Sequence, residues 1–279
     1  MKKGINIWSF PEMKLSEVFA LAKDAGFEGV ELALGHTGEI TMDTSDEDLL
    51  KIKEQAEEYG LELYSLSCGM CWDYWLNADD EEEREQAKKM IKRQIDVAKI
   101  LGCDTILVIA GSVSVEFAHV GRVIDYKTTY ERSLSALREL RTYAEEKGIY
   151  IALENVWNKF LVSPIEMNDF IDKIDSPYVG SYFDVGNVLF NGYPEHWINI
   201  LGNKIKKVHF KDYRIQAGGL HGFVDLLAGD VNYPAVIKAL NGIGYDGWVS
   251  AEMIPNYKYY SDTIIYNTSN AMDKILGRK

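Results

Sequence analysis

Four residues stand at the ends of short apolar runs, where a charge adds nothing to packing. Glu154 closes YIALE, Asp184 closes SYFD, His209 lies in KKVHF, and Glu252 closes WVSAE. Burying an ionised carboxylate is expensive unless it is paired or coordinates a metal. Taken singly, each has an ordinary reading: Glu154 as the partner of a lysine, His209 as a satisfied core histidine. Together they are three carboxylates and one imidazole at equivalent points of successive apolar runs. That donor set is hard to borderline and suits Mn²⁺, Mg²⁺ or Co²⁺ better than a structural zinc.

The elements that must position them follow from periodicity. Residues 150 to 187 read as a strand ending in Glu154, a loop, an amphipathic helix from Pro164 to Ile174, and a second strand ending in Asp184. The same alternation runs through the chain. Strands are predicted at 4–10, 29–34, 61–68, 105–110 and 247–253, besides those carrying Glu154, Asp184 and His209. Helices are predicted at 14–25, 45–59, 79–101, 125–147, 194–201, 232–241 and 261–276, besides the one from Pro164. Ser45, followed by Asp48, marks a helix start, and Gly26, Gly60, Gly102 and Gly148 mark helix ends. Eight strands alternating with eight helices predict a parallel sheet, and eight units favour closure into a (β/α)8 barrel forming one domain over residues 1–279. A doubly wound open sheet is the alternative, but no glycine-rich phosphate loop follows the first strand. In a closed barrel the C-terminal strand ends converge on one face. Strands five to eight would therefore bring the four residues to a common centre.

Composition sets limits on partners. The chain has 279 residues, 47% hydrophobic and 26% charged, with a net charge of −13. Such acidity argues against nucleic acid or an anionic membrane as partner. An anionic small substrate stays open, because local Lys and Arg can dominate a pocket. No run of about 18 apolar residues and no cleavable leader is visible, which leads us to expect a cytoplasmic protein. Cys68 and Cys71 form a CxxC with no second one to follow, so with Cys103 they read as reduced, packed thiols.

The segments ALEN around Glu154, FDVGN around Asp184, VHFKD around His209, and the run from Leu226 to Glu252 carry a resemblance that covers essentially the whole chain. It resembles the xylose-isomerase-like TIM barrels, which include ketose 3-epimerases, L-ribulose-5-phosphate 3-epimerases, hydroxypyruvate isomerase, inosose dehydratase and AP endonucleases. The resemblance implies a TIM-barrel enzyme that epimerises or isomerises a ketose or ketose phosphate through a cis-enediolate. It implies Glu154 and Glu252 as both metal ligands and the acid/base pair, with Asp184 and His209 completing the coordination. The expected ion is Mn²⁺, with Mg²⁺, Co²⁺ or Zn²⁺ as alternatives, and the expected assembly a homodimer or homotetramer. The chemistry suits these residue types, since removing a proton beside a carbonyl needs both a base and stabilisation of the developing charge.

Two departures stand out. Asn187 occupies the place where many free-ketose epimerases and the AP endonucleases carry a histidine. Ile215 stands where many epimerases carry a sugar-polarising arginine, with Arg214 one residue earlier as a substitute. Asn187, the acidic charge and only five histidines argue against a DNA-repair enzyme. The remaining alternatives are a dehydratase of the inosose type, expelling a hydroxyl after the same proton abstraction, and a non-catalytic sugar-binding barrel. Further candidates for substrate contact are Asn187 itself, Trp8, Glu31, Trp72, His119, Arg122, Trp157, Asn158, Lys211 and His221. Each has an ordinary reading too, as an ion pair, a core aromatic or an exposed loop residue. The tyrosine-rich run from Tyr257 to Tyr266 fits either a subunit contact or packing on the barrel.

Overall fold

The computed structural model describes residues 1–278. The strands are β1 (Lys2–Asn6), β2 (Gly29–Leu34), β3 (Glu62–Cys68), β4 (Thr105–Val108), β5 (Tyr150–Glu154), β6 (Val179–Asp184), β7 (Ile205–Phe210) and β8 (Trp248–Ala251). They close in sequential order into one parallel barrel, with Lys2 opposite Trp248 and Ile5 opposite Ala251 where β8 meets β1. The flanking helices are α1 (Leu15–Asp24), α2 (Asp46–Glu58), α3 (Glu81–Leu101), α4 (Tyr126–Lys147), α5 (Pro164–Ile174), α6 (Pro194–Leu201), α7 (Tyr233–Gly242) and α8 (Asp262–Ile275). This is a (β/α)8 TIM barrel, as expected.

Local chemistry sets the elements. Each helix turns one apolar stripe to the sheet: α5 buries Met167, Phe170, Ile171 and Ile174, the spacing of one helical face. The Ser45 hydroxyl accepts the Asp48 amide at 3.2 Å to start α2. Gly102 and Gly148 end α3 and α4 in the left-handed region, where a side chain would be strained. Strands covered on both faces read as nearly continuous apolar runs, and β4 is buried throughout.

The interior is polar along its axis. The Tyr182 hydroxyl meets Ser65 at 3.0 Å, and Tyr64 bonds Ser250 from the other side. Gly4 is required here, because a Cβ at that position would fall on the Tyr64 ring. At the N-terminal end of the barrel, Lys207 pairs with Asp104 at 2.6 Å and the buried Lys3 with Asp273 at 2.6 Å.

Several strand ends differ from expectation, and the differences shape the mouth. The first strand stops at Asn6, whose side-chain oxygen accepts the Trp8 amide at 2.8 Å and turns residues 7–9 into a helical bend. Trp8 is thereby carried out of the sheet. The fourth strand ends at Val108 rather than 110, and the last at Ala251, so Glu252 sits one residue beyond β8. Two small features were not foreseen: a helical turn at Val185–Val188 and an antiparallel pair, Asp212–Tyr213 with Phe223–Val224.

Candidate metal centre

Glu154 and Asp184 end β5 and β6, His209 pairs in register with Asp184 on β7, and Glu252 follows β8. One ligand atom from each lies within 4.8 Å of the others, and all four residues are buried. The His209 Nδ1 atom is 3.7 Å from Glu154, 3.9 Å from Asp184 and 3.6 Å from Glu252. These distances are too long for hydrogen bonds. Atoms each about 2 Å from a common ion lie roughly 3–4 Å apart, so they suit a shared cation. Asp184 Oδ2, His209 Nδ1 and Glu252 Oε2 are buried without a hydrogen-bond partner. The two carboxylate oxygens face the Lys211 ammonium and His209 Nδ1 is left without a bond, and this set of hard and borderline donors fits a divalent metal ion.

The surroundings hold the ligands in place. The Glu31 carboxylate meets His209 Nε2 at 2.7 Å. In a neutral ring that bond would keep the proton on Nε2 and leave Nδ1 free to bind a cation. Glu31 is itself held by the Ser67 hydroxyl, which accepts a bond from the Asn6 amide at 3.2 Å. Asn155 clamps Asp184, donating to its carbonyl at 2.8 Å and accepting its amide at 2.9 Å. The Asn187 amide donates to Asp184 Oδ1 at 2.7 Å. Lys211 is 3.2 Å from Asp184 and in close contact with Glu252.

Electrostatics points the same way. Burial, reinforced by the charges of Glu252 and Asp184, pushes the Glu154 carboxyl up to about 7 against the pull of His209. Burial likewise raises Asp184, against the nearby Lys211. Burial would lower the His209 imidazole, but Glu31 and Glu252 outweigh it and hold the ring well above its usual range. Carboxylates pushed up by burial and by one another are relieved by a bound cation.

A family model described as "Xylose isomerase-like TIM barrel" matches residues 19–266. The chain belongs to this family. Fructoselysine 3-epimerase of Shigella flexneri is 23% identical over 264 residues, covering 92% of this chain and 91% of that protein. Inosose dehydratase of Geobacillus thermodenitrificans is 25% identical over 218 residues, 70% of this chain and 72% of its own. Among solved structures, an L-ribulose 3-epimerase superposes with a TM-score of 0.82 at 18% identity, covering 100% of this chain and 95% of that one. That last likeness shows the barrel. The relatives named here are epimerases and a dehydratase, which supports an enzyme.

A cavity of about 700 Å³ opens above the four ligands. The structure brings Trp8, Trp72, Trp157, Asn187, Lys211 and His221 to its walls, beside Glu154 and Glu252. Other candidates lie elsewhere. Glu31, expected as a sugar contact, is fully buried beneath His209 and bonded to it. Arg214, expected to polarise the sugar, is exposed and donates to the Ala228 carbonyl at 2.7 Å, because the short antiparallel pair turns it outward. His119 sits exposed in a left-handed turn, its ring edge on Trp75 at 5.9 Å. Arg122 forks onto Glu83 at 2.9 and 3.1 Å. Asn158 is buried and ties its loop to the Gly111 carbonyl at 2.6 Å. Sequence reasoning missed Phe117 and Phe223 in the wall, and Asn155, although ALEN already displayed it. The three cysteines are free and buried. Tyr257 bonds Asp225, whereas Tyr259 and Tyr260 are exposed. Among the described residues, no helix is long and apolar enough to cross a membrane.

Proposed function

We propose that the protein is a metal-dependent epimerase or isomerase of a ketose or ketose phosphate, with Mn²⁺ as its ion and a homodimer or homotetramer as its assembly. One observation carries this reading. Two carboxylates, Glu154 and Glu252, belong to a four-residue cluster that could hold a cation, and both line a sugar-sized cavity. An ion held by Glu154, Asp184, His209 and Glu252 would polarise the carbonyl and stabilise charge developing on the adjacent oxygens.

The remaining work falls to the chain's own groups. One glutamate removes the proton beside the carbonyl, and the other returns one to the opposite face, which inverts the centre through a planar enediolate. The roles exchange with the epimer bound. Asn187, its amide 3.5 Å from Glu154 Oε1, steadies that carboxylate. Trp8 and Trp72 give flat apolar walls for the sugar ring and help keep water from the intermediate.

The test is solvent exchange in D₂O with the Mn²⁺-loaded protein, followed by NMR at the carbon next to the carbonyl across a ketose panel. Exchange accompanied by a new epimer is expected, reduced by about 10²–10⁴ in Glu154→Gln and in Glu252→Gln. Metal binding without exchange on any member would favour a sugar-binding barrel instead. The inosose dehydratase relative supports a second reading, in which the same abstraction is followed by loss of the β-hydroxyl. Release of water and a conjugated carbonyl in the product would select it.

A further inference from the structure

Beside the main cavity lies a second hollow of about 220 Å³, and the two share Phe117, Val156, Trp157, Asn187 and Leu220 in their walls. At no more than about 30 Å³ per water-sized heavy atom, a hexose of twelve heavy atoms fills at most about 360 Å³. That is roughly half of the 700 Å³ main cavity alone.

Both hollows are walled mostly by apolar side chains. Phe160, Leu161, Val162 and Phe190 line the outer hollow, with Val162 51% and Phe190 59% exposed to solvent. Sugar hydroxyls placed there would lose water without gaining partners. Apolar side chains left open at the rim of a cavity mark a surface that a ligand covers. The dividing wall is also preset. The Trp157 indole N–H donates to the Asn187 carbonyl at 2.9 Å, and its ring packs against Phe190, Tyr213 and Phe223 at 5.1–5.3 Å between centroids. Phe117 stands edge-on to Trp72 at 4.8 Å.

Charge argues against a phosphorylated substrate. No arginine lines either hollow among the described residues. Lys211 is bound to Asp184 and Glu252, and Lys159, at the outer rim, faces Glu116 at 3.9 Å. A phosphate dianion normally meets a forked arginine or several free donors. Here it would approach Glu116, Glu154 and Glu252, with both lysines already facing carboxylates.

We propose that the substrate is an uncharged keto sugar carrying a bulky apolar aglycone, with the sugar over the metal ligands and the aglycone between Phe117, Trp157 and Leu220. This rests on the reading of the cavity as a keto-sugar site and names the class of sugar it takes.

The test is equilibrium binding by calorimetry to the full Mn²⁺-loaded chain, with the 3-oxo derivatives of 4-nitrophenyl β-D-glucopyranoside, methyl β-D-glucopyranoside and glucose 6-phosphate as probes. The nitrophenyl glycoside is expected to bind about tenfold more tightly than either of the others, because burying one aromatic ring is worth at least that factor. Phe117→Ser and Leu220→Asp, checked for fold by circular dichroism, are each expected to remove most of that preference. Equal binding of the nitrophenyl and methyl glycosides, or tighter binding of the 6-phosphate, would overturn the proposal. The outcome is separable from solvent exchange. An aglycone preference without exchange on any ketose or on the nitrophenyl keto glycoside would sink the epimerase reading and leave the aglycone site standing. Exchange on a ketose with no aglycone preference would do the reverse.

Discussion

His209 and Glu31 are joined by a 2.7 Å hydrogen bond across the barrel interior, between β7 and β2, which do not adjoin. The bond fixes the imidazole's orientation and keeps Nδ1 aimed at Glu154, Asp184 and Glu252. Partners behind a metal-binding histidine are worth about 10–100-fold in metal affinity. Glu31→Gln, which keeps the shape but loses the charge, is expected to weaken Mn²⁺ binding within that range while the thermal unfolding curve stays cooperative. Titration calorimetry reads it directly, and unchanged affinity would remove Glu31 from the site.

Stability of the metal-stripped protein depends on pH through Glu154. Its carboxyl titrates at about 7 in the fold and near 4.5 ordinarily, so the folded state binds the proton more tightly than the unfolded chain. Below about pH 4.5 both states are protonated and the residue costs nothing. Between about 4.5 and 7 the cost of ionising it in the fold grows, and above 7 it is constant at on the order of 3 kcal/mol. Glu154→Gln is neutral at every pH. In EDTA, the urea stability of the variant relative to the native chain should therefore rise across that window. With saturating Mn²⁺ the order should reverse, because the variant lacks a ligand. A difference that stays flat with pH would refute the assignment.

Lys211 and a divalent ion share two oxygens, Asp184 Oδ2 and Glu252 Oε2. Burial lowers a lysine's affinity for its proton, but Asp184 and Glu252 more than compensate and keep this ammonium charged. Lys211→Met removes that competitor and leaves two buried carboxylates unpaired. Removing one member of a buried pair costs about 3–5 kcal/mol, so the metal-free variant should unfold much earlier in urea. Its Mn²⁺ affinity should increase, and added Mn²⁺ should restore much of the lost stability. A fall in metal affinity would mean that Lys211 supports the ligands rather than competing with the ion.

The barrel and the clustering of Glu154, Asp184, His209 and Glu252 were legible because both follow from local pattern. Alternation of apolar runs with helical periods gives the staves, and a strand-end carboxylate needs only its position in that pattern. The role of Glu31 was not legible, since it depends on which side chains meet across the interior from strands that share no hydrogen bonds. Arg214 was misplaced for a different reason. The pair Asp212–Tyr213 and Phe223–Val224 is two residues deep, too short for any period to announce it. His119 shows a third limit: its backbone takes φ 48°, a conformation that side-chain type alone does not signal in a histidine.

That short pair is anchored by a residue whose place in VHFKD gave no hint of its work. The Asp212 carboxylate accepts the amides of Tyr213 at 2.8 Å, Leu227 at 2.9 Å, Gly229 at 3.2 Å and Val231 at 3.2 Å. Leu227 is held at φ 72° in that cradle, and a Cβ at Gly229 would strike the carboxylate. The loop so formed leads from Phe223, in the cavity wall, to α7. Asp212→Asn puts an NH₂ group where two of the four amides donate, so it loses two charge-assisted bonds and adds a donor-to-donor clash. The expected cost is about 2–4 kcal/mol, or a Tm lower by roughly 5–10 °C by calorimetry. Because none of the four ligands lies on this loop, Mn²⁺ affinity should stay near the native value while binding in the cavity weakens. Loss of metal affinity in step with Tm would instead show that the loop and the metal centre fold as one unit.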